Sequence, residues 1–277
     1  MISAETYAVP SEVETIPTMN LGCVTVSKLL VGGNPFSGFS HHSDERDMEM
    51  RRYFTTDRIH QTLFECERQG ITAFVGRVDN HITRVLLEYY AKGGTIQWIA
   101  QTAMERWSIE DNVKMARYFG AKACYLHGGN FDKLWDEGKQ ETIRKTLNFI
   151  KDQGLPAGLA SHNPERILIA DQEEYGADFY MVSLYNIAGR RGQIVEAKDE
   201  RFRETDRKKA LSIIPRLSKP TIAYKVLAAG RRDPEKSFQE VFGIIKSSDG
   251  ILVGVYPKVM SNMVRVNSEL ARRLLRG

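Results

Sequence analysis

Residues 157–185 read AGLASHNPERILIADQEEYGADFYMVSLY. The stretch opens on a short run of small and apolar residues, Ala157–Ser161, in which apolar and polar positions do not alternate. Runs of this kind belong to parallel strands buried on both faces. Asn163-Pro164-Glu165 then supplies a helix opening: a side-chain acceptor for orphan amides, a proline whose missing N–H costs nothing in the first turn, and an acid at the positive end. Pro164–Tyr175 carries apolar residues at helical spacing, and a second apolar run, Phe179–Tyr185, closes the unit. Strand, crossover helix, strand is the repeating unit of a parallel α/β sheet.

Outward from this stretch the same unit recurs. Strand-like runs fall at Leu29–Gly33, Ile71–Gly76, Thr95–Gln101, Ala123–His127, Thr221–Lys225 and Ile251–Tyr256, which with the two above makes eight. Helical periods lie between them at Thr56–Gln69, Ile82–Ala91, Ile109–Phe119, Glu141–Gln153, Lys208–Leu217, Pro234–Ile245 and Lys258–Leu275. Ser108 and Asp233-Pro234 open helices, and Gly70, Gly93-Gly94, Gly120 and Gly154 stop them. Strict alternation of eight units predicts an α/β fold, a single (β/α)8 TIM barrel over 1–277, for which about 250 residues suffice. A doubly wound open sheet is the alternative. Ile16–Leu21 and Val24–Ser27 read as a short N-terminal β-hairpin placed to plug the barrel floor, preceded by a flexible tail over residues 1–15. Residues 35–55 and 187–207 read as long loops of the sort that close over ligands.

Composition narrows the function classes. The 277 residues are 42% hydrophobic and 27% charged, the balance of an ordinary globular domain. Lys and Arg number 39 against 35 Asp and Glu, a net charge of +4 spread along the chain without the basic stripe of a nucleic-acid binder. The one concentration, Lys198–Lys209, mixes both signs and reads as a solvated helical face. Cys23, Cys66 and Cys124 form no CxxC pair, which argues against a disulfide framework and a structural zinc site. No apolar run reaches the roughly 18 residues of a membrane span, and the amino terminus lacks a signal-like segment. A cytoplasmic protein with a small-molecule substrate is the expectation, its oligomeric state open.

In such a barrel the reactive groups come from the carboxyl ends of the strands. Those positions hold Asn34, Arg77 with Asp79 and His81, Gln101, His127, Ser161 with His162, Ser183 with Asn186, Lys225, Tyr256 and Lys258. A sheet buried on both sides has no structural use for so many hydrogen-bonding groups at one rim, so the pattern favours an enzyme over a scaffold. Catalysis is assigned to His127, Lys225, Asp79 and His81, and substrate contacts to Asn34, Arg77, Gln101, His162 and Asn186. Lys225 ends the apolar strand Thr-Ile-Ala-Tyr-Lys, where poor solvation of an ammonium would favour a base or a Schiff-base amine; the alternative is an ammonium paired with a neighbouring carboxylate or a substrate anion. For Asp79 and His81 a turn and helix cap is an equal reading, and His162 at a helix start has a capping alternative. Gly32-Gly33-Asn34 and Gly128-Gly129-Asn130 read as tight strand-end turns and match neither a dinucleotide fingerprint nor a P-loop.

A family resemblance runs along most of the chain. Asn20-Leu21-Gly22, Val26-Ser27-Lys28-Leu29 and Gly32-Gly33, then Gly70-Ile71-Thr72, Tyr125-Leu126-His127 and Gly158–Ser161 with Asn163-Pro164-Glu165 stand in one order. Leu184-Tyr185-Asn186, Ala223-Tyr224 and Val253-Gly254 with Asn267 continue it. In that order these motifs resemble the aldo/keto reductase superfamily. The resemblance implies a barrel, a nicotinamide cofactor (NADP or NAD), and an Asp, Tyr, Lys and His tetrad acting on a carbonyl. His127 matches the histidine. Strand two, Phe74–His81, lacks the family's Asp and Tyr, and Gln101 replaces its Lys. The pair that holds the nicotinamide amide becomes Ala160-Ser161, and the strand-six Gln becomes Ser183. Tyr224 matches the stacking residue, while Lys258 and Arg265 match phosphate-holding positions. The tetrad is thus incomplete. Three functions follow: an oxidoreductase with His81 or Lys225 as replacement proton donor, a nicotinamide-independent lyase, isomerase or hydrolase using Lys225 or a metal held by some of Asp79, His81, His127 and His162, and a non-catalytic ligand-binding barrel.

Overall fold

The computed structural model describes residues 14–103, 108–187 and 201–276. A two-stranded antiparallel hairpin, β1 (Thr18–Leu21) and β2 (Val24–Ser27), precedes eight parallel strands. These are β3 (Leu29–Gly32), β4 (Ala73–Arg77), β5 (Gln97–Gln101), β6 (Ala123–Leu126), β7 (Ala157–Ser161), β8 (Phe179–Ser183), β9 (Thr221–Tyr224) and β10 (Gly250–Gly254). They close on themselves, because β10 pairs with both β9 and β3: Ile251 lies opposite Ala223 on one side and Leu29 on the other. The fold is therefore the closed barrel with an N-terminal hairpin, and the open-sheet alternative falls.

Ten helices are described: α1 (Asp44–Tyr53), α2 (Thr56–Arg68), α3 (Asn80–Ala91), α4 (Ile109–Tyr118) and α5 (Gly128–Asp136), then α6 (Gln140–Asp152), α7 (Pro164–Gln172), α8 (Glu204–Ile213), α9 (Pro234–Phe242) and α10 (Met263–Leu275). Side-chain alternation along each strand divides the interior in two. Outward-facing residues such as Phe74, Trp98, Cys124, Leu126, Leu159 and Val182 pack against the helices. Inward-facing Leu30, Val75, Ile99, Tyr125, Ala160, Met181 and Ile222 fill the barrel together with Met19, Leu21 and Val26 of the hairpin. Polar bonds fix that plug at the amino ends of the strands. Ser27 N donates to Thr72 Oγ1 at 2.8 Å, Thr72 N returns a bond to Ser27 Oγ at 3.0 Å, and Gln97 Nε2 donates to Thr25 O at 2.8 Å. The expected floor plug is thus present.

Three local expectations are corrected. The segment 35–55 is no structureless loop: a 3-10 turn over Pro35–Ser37 is followed by α1, capped by Ser43, whose Oγ accepts from Arg46 N at 3.2 Å. Only Met50 of α1 is buried, so its sequence carries no apolar stripe to announce it. Gly128-Gly129-Asn130 is not a turn but the first turn of α5. The charged run 198–209 is not wholly a solvated face, because Arg207 is fully buried in a bond pair with Glu240. Most of the second long loop and of the expected tail, residues 188–200 and 1–13, lies outside the described residues.

Candidate active site

Six consecutive strands aim polar side chains into the barrel mouth, because alternation puts Arg77, Gln101, His127, His162, Ser183 and Tyr224 on the inner face at or just beyond the strand ends. Below them, buried Tyr125 donates from its hydroxyl to Gln101 Oε1 at 2.8 Å. Burial holds that phenol neutral far above its ordinary range.

His127 and His162 are edge-to-face neighbours with ring centroids 6.3 Å apart. The backbone N–H of His127 is held by Thr102 Oγ1 at 3.0 Å. Burial, followed by the positive fields of His162, Lys225 and Arg77, lowers His127 from 6.5 to about 3. Its imidazole is therefore neutral throughout the physiological range, able to donate one hydrogen bond and accept another.

His162 is different, for it is held by a carboxylate. Asp132, on α5, accepts from Ser161 Oγ at 2.5 Å, from His162 N at 3.2 Å and from His162 Nδ1 at 3.1 Å. A carboxylate only accepts, so Nδ1 carries a hydrogen, and in the neutral ring Nε2 is the basic nitrogen. Burial raises the Asp132 carboxyl, but the bonds from His162 and Ser161 outweigh it and hold the group below its ordinary value. Arg166 of α7 fastens α5 from outside, donating to Asp132 O at 3.1 Å and to Asp136 Oδ1 at 2.5 Å.

The glycines that open α5 make room for both rings. A Cβ on Gly128 would lie 3.2 Å from Cε1 and Nδ1 of His162, and one on Gly129 would lie 3.2 Å from Cε1 of His127. Contacts that close are tighter than most, so a side chain at either glycine would push the neighbouring imidazole by a few tenths of an ångström.

The far side of the mouth belongs to β9. The Tyr224 hydroxyl donates to Ser161 O at 3.3 Å, its ring meets His162 edge-on at 6.2 Å, and the Lys225 ammonium lies 4.6 Å from the ring centroid. Lys225 has φ +61°, a left-handed conformation that costs a non-glycine residue roughly 1 kcal/mol or more. Ala228 and Ala229 repeat it at φ +48° and +56°.

The remaining residues expected at the site are dispersed or engaged. Asp79 caps α3 through Ile82 N at 2.8 Å and accepts from Arg77 Nε at 3.3 Å. His81 is exposed, with Nδ1 3.4 Å from Ser37 Oγ. Asn34 is exposed above β3, and Asn186 donates its backbone N–H to Asp206 Oδ2 at 3.0 Å. Ser183 Oγ donates to Tyr185 O at 2.7 Å. Lys258 pairs with Glu49 at 2.6 Å, and exposed Arg265 pairs with Glu269 at 3.6 Å. Among the described residues no three His, Cys, Asp or Glu side chains are placed to hold a metal ion, so Asp79, His81, His127 and His162 do not assemble as one ligand set. Nor is any described helix long and apolar enough to cross a membrane.

Asp132 is the residue of this cluster that sequence reading missed. It stands five positions after His127 in His-Gly-Gly-Asn-Phe-Asp, and reading the glycines as a turn hid the helical turn that swings it back to the rim.

No protein-family model matches the chain, and no curated protein sequence does. Solved structures share its fold. One, assigned by name to the aldo-keto reductases of Pseudomonas aeruginosa, superposes with a TM-score of 0.60 at 17% identity over 96% of this chain and 99% of that one. A glycerol dehydrogenase from Gluconobacter oxydans gives 0.56 at 12% identity over 93% and 94%. A truncated 3-deoxy-D-arabino-heptulosonate 7-phosphate synthase from Thermotoga maritima gives 0.56 at 15% over 95% and 92%. Barrels with such different names are comparably similar, so the likeness fixes the fold and leaves the reaction to the residues.

Proposed function

We propose that this chain is an enzyme that moves a proton beside the carbonyl of a small ketone, aldehyde or sugar, an isomerase or lyase by reaction class. One observation carries the reading: a carboxylate-held histidine, Asp132–His162, stands beside a half-buried histidine that desolvation keeps neutral, His127, in the barrel mouth. His162 Nε2 takes a proton from the carbon next to the carbonyl. The C–H electron pair forms the C=C bond, and the carbonyl π pair moves to oxygen, where the neutral His127 N–H donates a hydrogen bond to the enolate. For an α-hydroxy carbonyl, return of the proton from His162 to the former carbonyl carbon, with the hydroxyl proton passing between the two enediolate oxygens through His127, completes an isomerisation with no net oxidation. Asp132 keeps His162 in the working tautomer and stabilises it when protonated; proton transfer by a side chain positioned in this way contributes typically about 10²–10⁴-fold.

The side chains that the reductase resemblance assigns to a nicotinamide are engaged elsewhere. Ser161 is bonded to Asp132 and Ser183 to Tyr185 O; one face of Tyr224 carries Lys225; Lys258 and Arg265 sit in ion pairs. That each already has a partner within the protein supports a reading without this cofactor. The reductase reading keeps one support, His127 at the position of the family's histidine.

The test is proton exchange. Small ketoses and aldoses incubated in D2O should gain deuterium beside the carbonyl, and His162→Asn should slow this at least 100-fold. Consumption of NADPH with a small aldehyde, and no exchange above that of the variant, would favour the reductase instead.

A further inference from the structure

Gln101 ends β5 on the inner face, two residues beyond Ile99, which fills the barrel. It stands opposite Tyr125 of β6, and two residues further along the chain the same alternation brings in His127. Gln101, His127 and His162 therefore follow one another around the mouth, one from each of three neighbouring strands.

The amide of Gln101 has two ends, and the protein uses one of them. Oε1 accepts from Tyr125 Oη at 2.8 Å, and that phenol is 3% exposed. A buried hydroxyl hydrogen needs an acceptor, and among the described residues Oε1 is the one it has, so the amide cannot be turned end for end. Nε2 then faces away from Tyr125, and its N–H groups have no hydrogen-bond partner among the described residues. His127 is in the same state. Its ring meets His162 edge-on and its backbone N–H is held by Thr102, yet neither ring nitrogen is bonded to a described residue. Both side chains are half-buried. Their neighbours on the rim spend their hydrogens inside the protein: Ser161 on Asp132, Ser183 on Tyr185 and Tyr224 on Ser161.

Two donors on adjacent strands suit two oxygens on adjacent carbons, because neighbouring strands lie about 4.8 Å apart. A simple ketone or aldehyde satisfies His127 alone and leaves the amide without an acceptor, which a site built for a hydroxyl penalises. We infer that the substrate is an α-hydroxy carbonyl, its carbonyl oxygen on His127 and its hydroxyl oxygen on Gln101 Nε2. Gln101 is then the specificity-determining residue, and Tyr125 a positioning residue that aims it. The inference deepens the acid–base reading and rests on it for the word substrate, but the preference is measurable without turnover.

The full-length protein is titrated with glycolamide and with acetamide, unreactive neutral probes that differ by one α-hydroxyl, and binding is followed by ligand-observed NMR. Glycolamide should bind about tenfold tighter than acetamide. Gln101→Met, of similar length but without an N–H donor, should abolish the preference by weakening glycolamide rather than by strengthening acetamide. Tyr125→Phe frees the amide to turn while leaving Gln101 in place, and should erode the preference part-way. Glycolamide bound no tighter than acetamide by the wild type, or a preference undiminished in both variants, overturns the proposal. An equal loss of both probes in Gln101→Met also overturns it, since Gln101 and His127 would then share a single oxygen. Uptake of deuterium from D2O into hydroxyacetone by the wild type separates the two claims. A Gln101-dependent preference without exchange retires the acid–base reading alone, and exchange without the preference retires this one alone.

Discussion

At Asp132 a single carboxylate decides which nitrogen of His162 is basic. With Oδ2 3.1 Å from Nδ1, the hydrogen is on that side and Nε2 carries the lone pair. Asp132→Asn keeps the shape but offers an amide that can present either oxygen or N–H to the ring, so the tautomer is no longer fixed. Imidazole ¹⁵N shifts should show one Nδ1–H tautomer in the wild type and a mixture or the Nε2–H form in the variant. Deuterium exchange into a substrate should fall by about 10²-fold or more. An unchanged tautomer together with an unchanged rate would remove Asp132 from the mechanism. None of this was legible in the sequence. His127, His162 and Lys225 stand out because polar residues ending apolar strands are conspicuous, but pairing depends on where helical turns return a side chain. Asp132 returns through a helix that begins on two glycines, the residues that most often mark its absence.

At the scale of elements, the strands were readable because each is buried on both faces and so is almost continuously apolar. Helices with a broad apolar face, such as α6 and α10, were equally plain, whereas α1 presents one buried residue and was invisible. The start of α5 was obscured for a functional reason, since Gly128 and Gly129 leave space for imidazoles rather than favour a helix. Gly128→Ala separates the two roles. Alanine is the better helix former by about 1 kcal/mol in a helix interior, so the melting temperature should hold or rise slightly. The new methyl displaces the His162 ring, and deuterium exchange should fall at least tenfold. A variant that exchanges at the wild-type rate would mean that the ring yields freely and that the glycine has no part in placing it.

At the scale of the whole molecule, burial of His127 couples the site to stability. An unfolded histidine takes a proton near pH 6.5, whereas this one in the fold waits until about pH 3. Between those values the unfolded chain binds more protons than the native one. Stability is therefore greatest above pH 6.5 and declines as the pH falls towards about 3. His127→Gln should flatten the decline by up to about 1.4 kcal/mol per pH unit, checked by urea unfolding at pH 7, 6, 5 and 4; identical slopes would show that His127 is protonated in the fold. The plug belongs to the same scale. Leu21 is fully buried among inward-facing barrel residues, and Leu21→Ala should cost about 2–5 kcal/mol in the same unfolding assay.

Because Met19, Leu21 and Val26 stopper the cylinder at its base, nothing passes through it end to end. Whatever arrives must depart by the same doorway, and the seat stays taken until it has gone. Reactant and product then exclude each other, so added product should slow turnover in a strictly competitive manner, raising the apparent KM and sparing kcat.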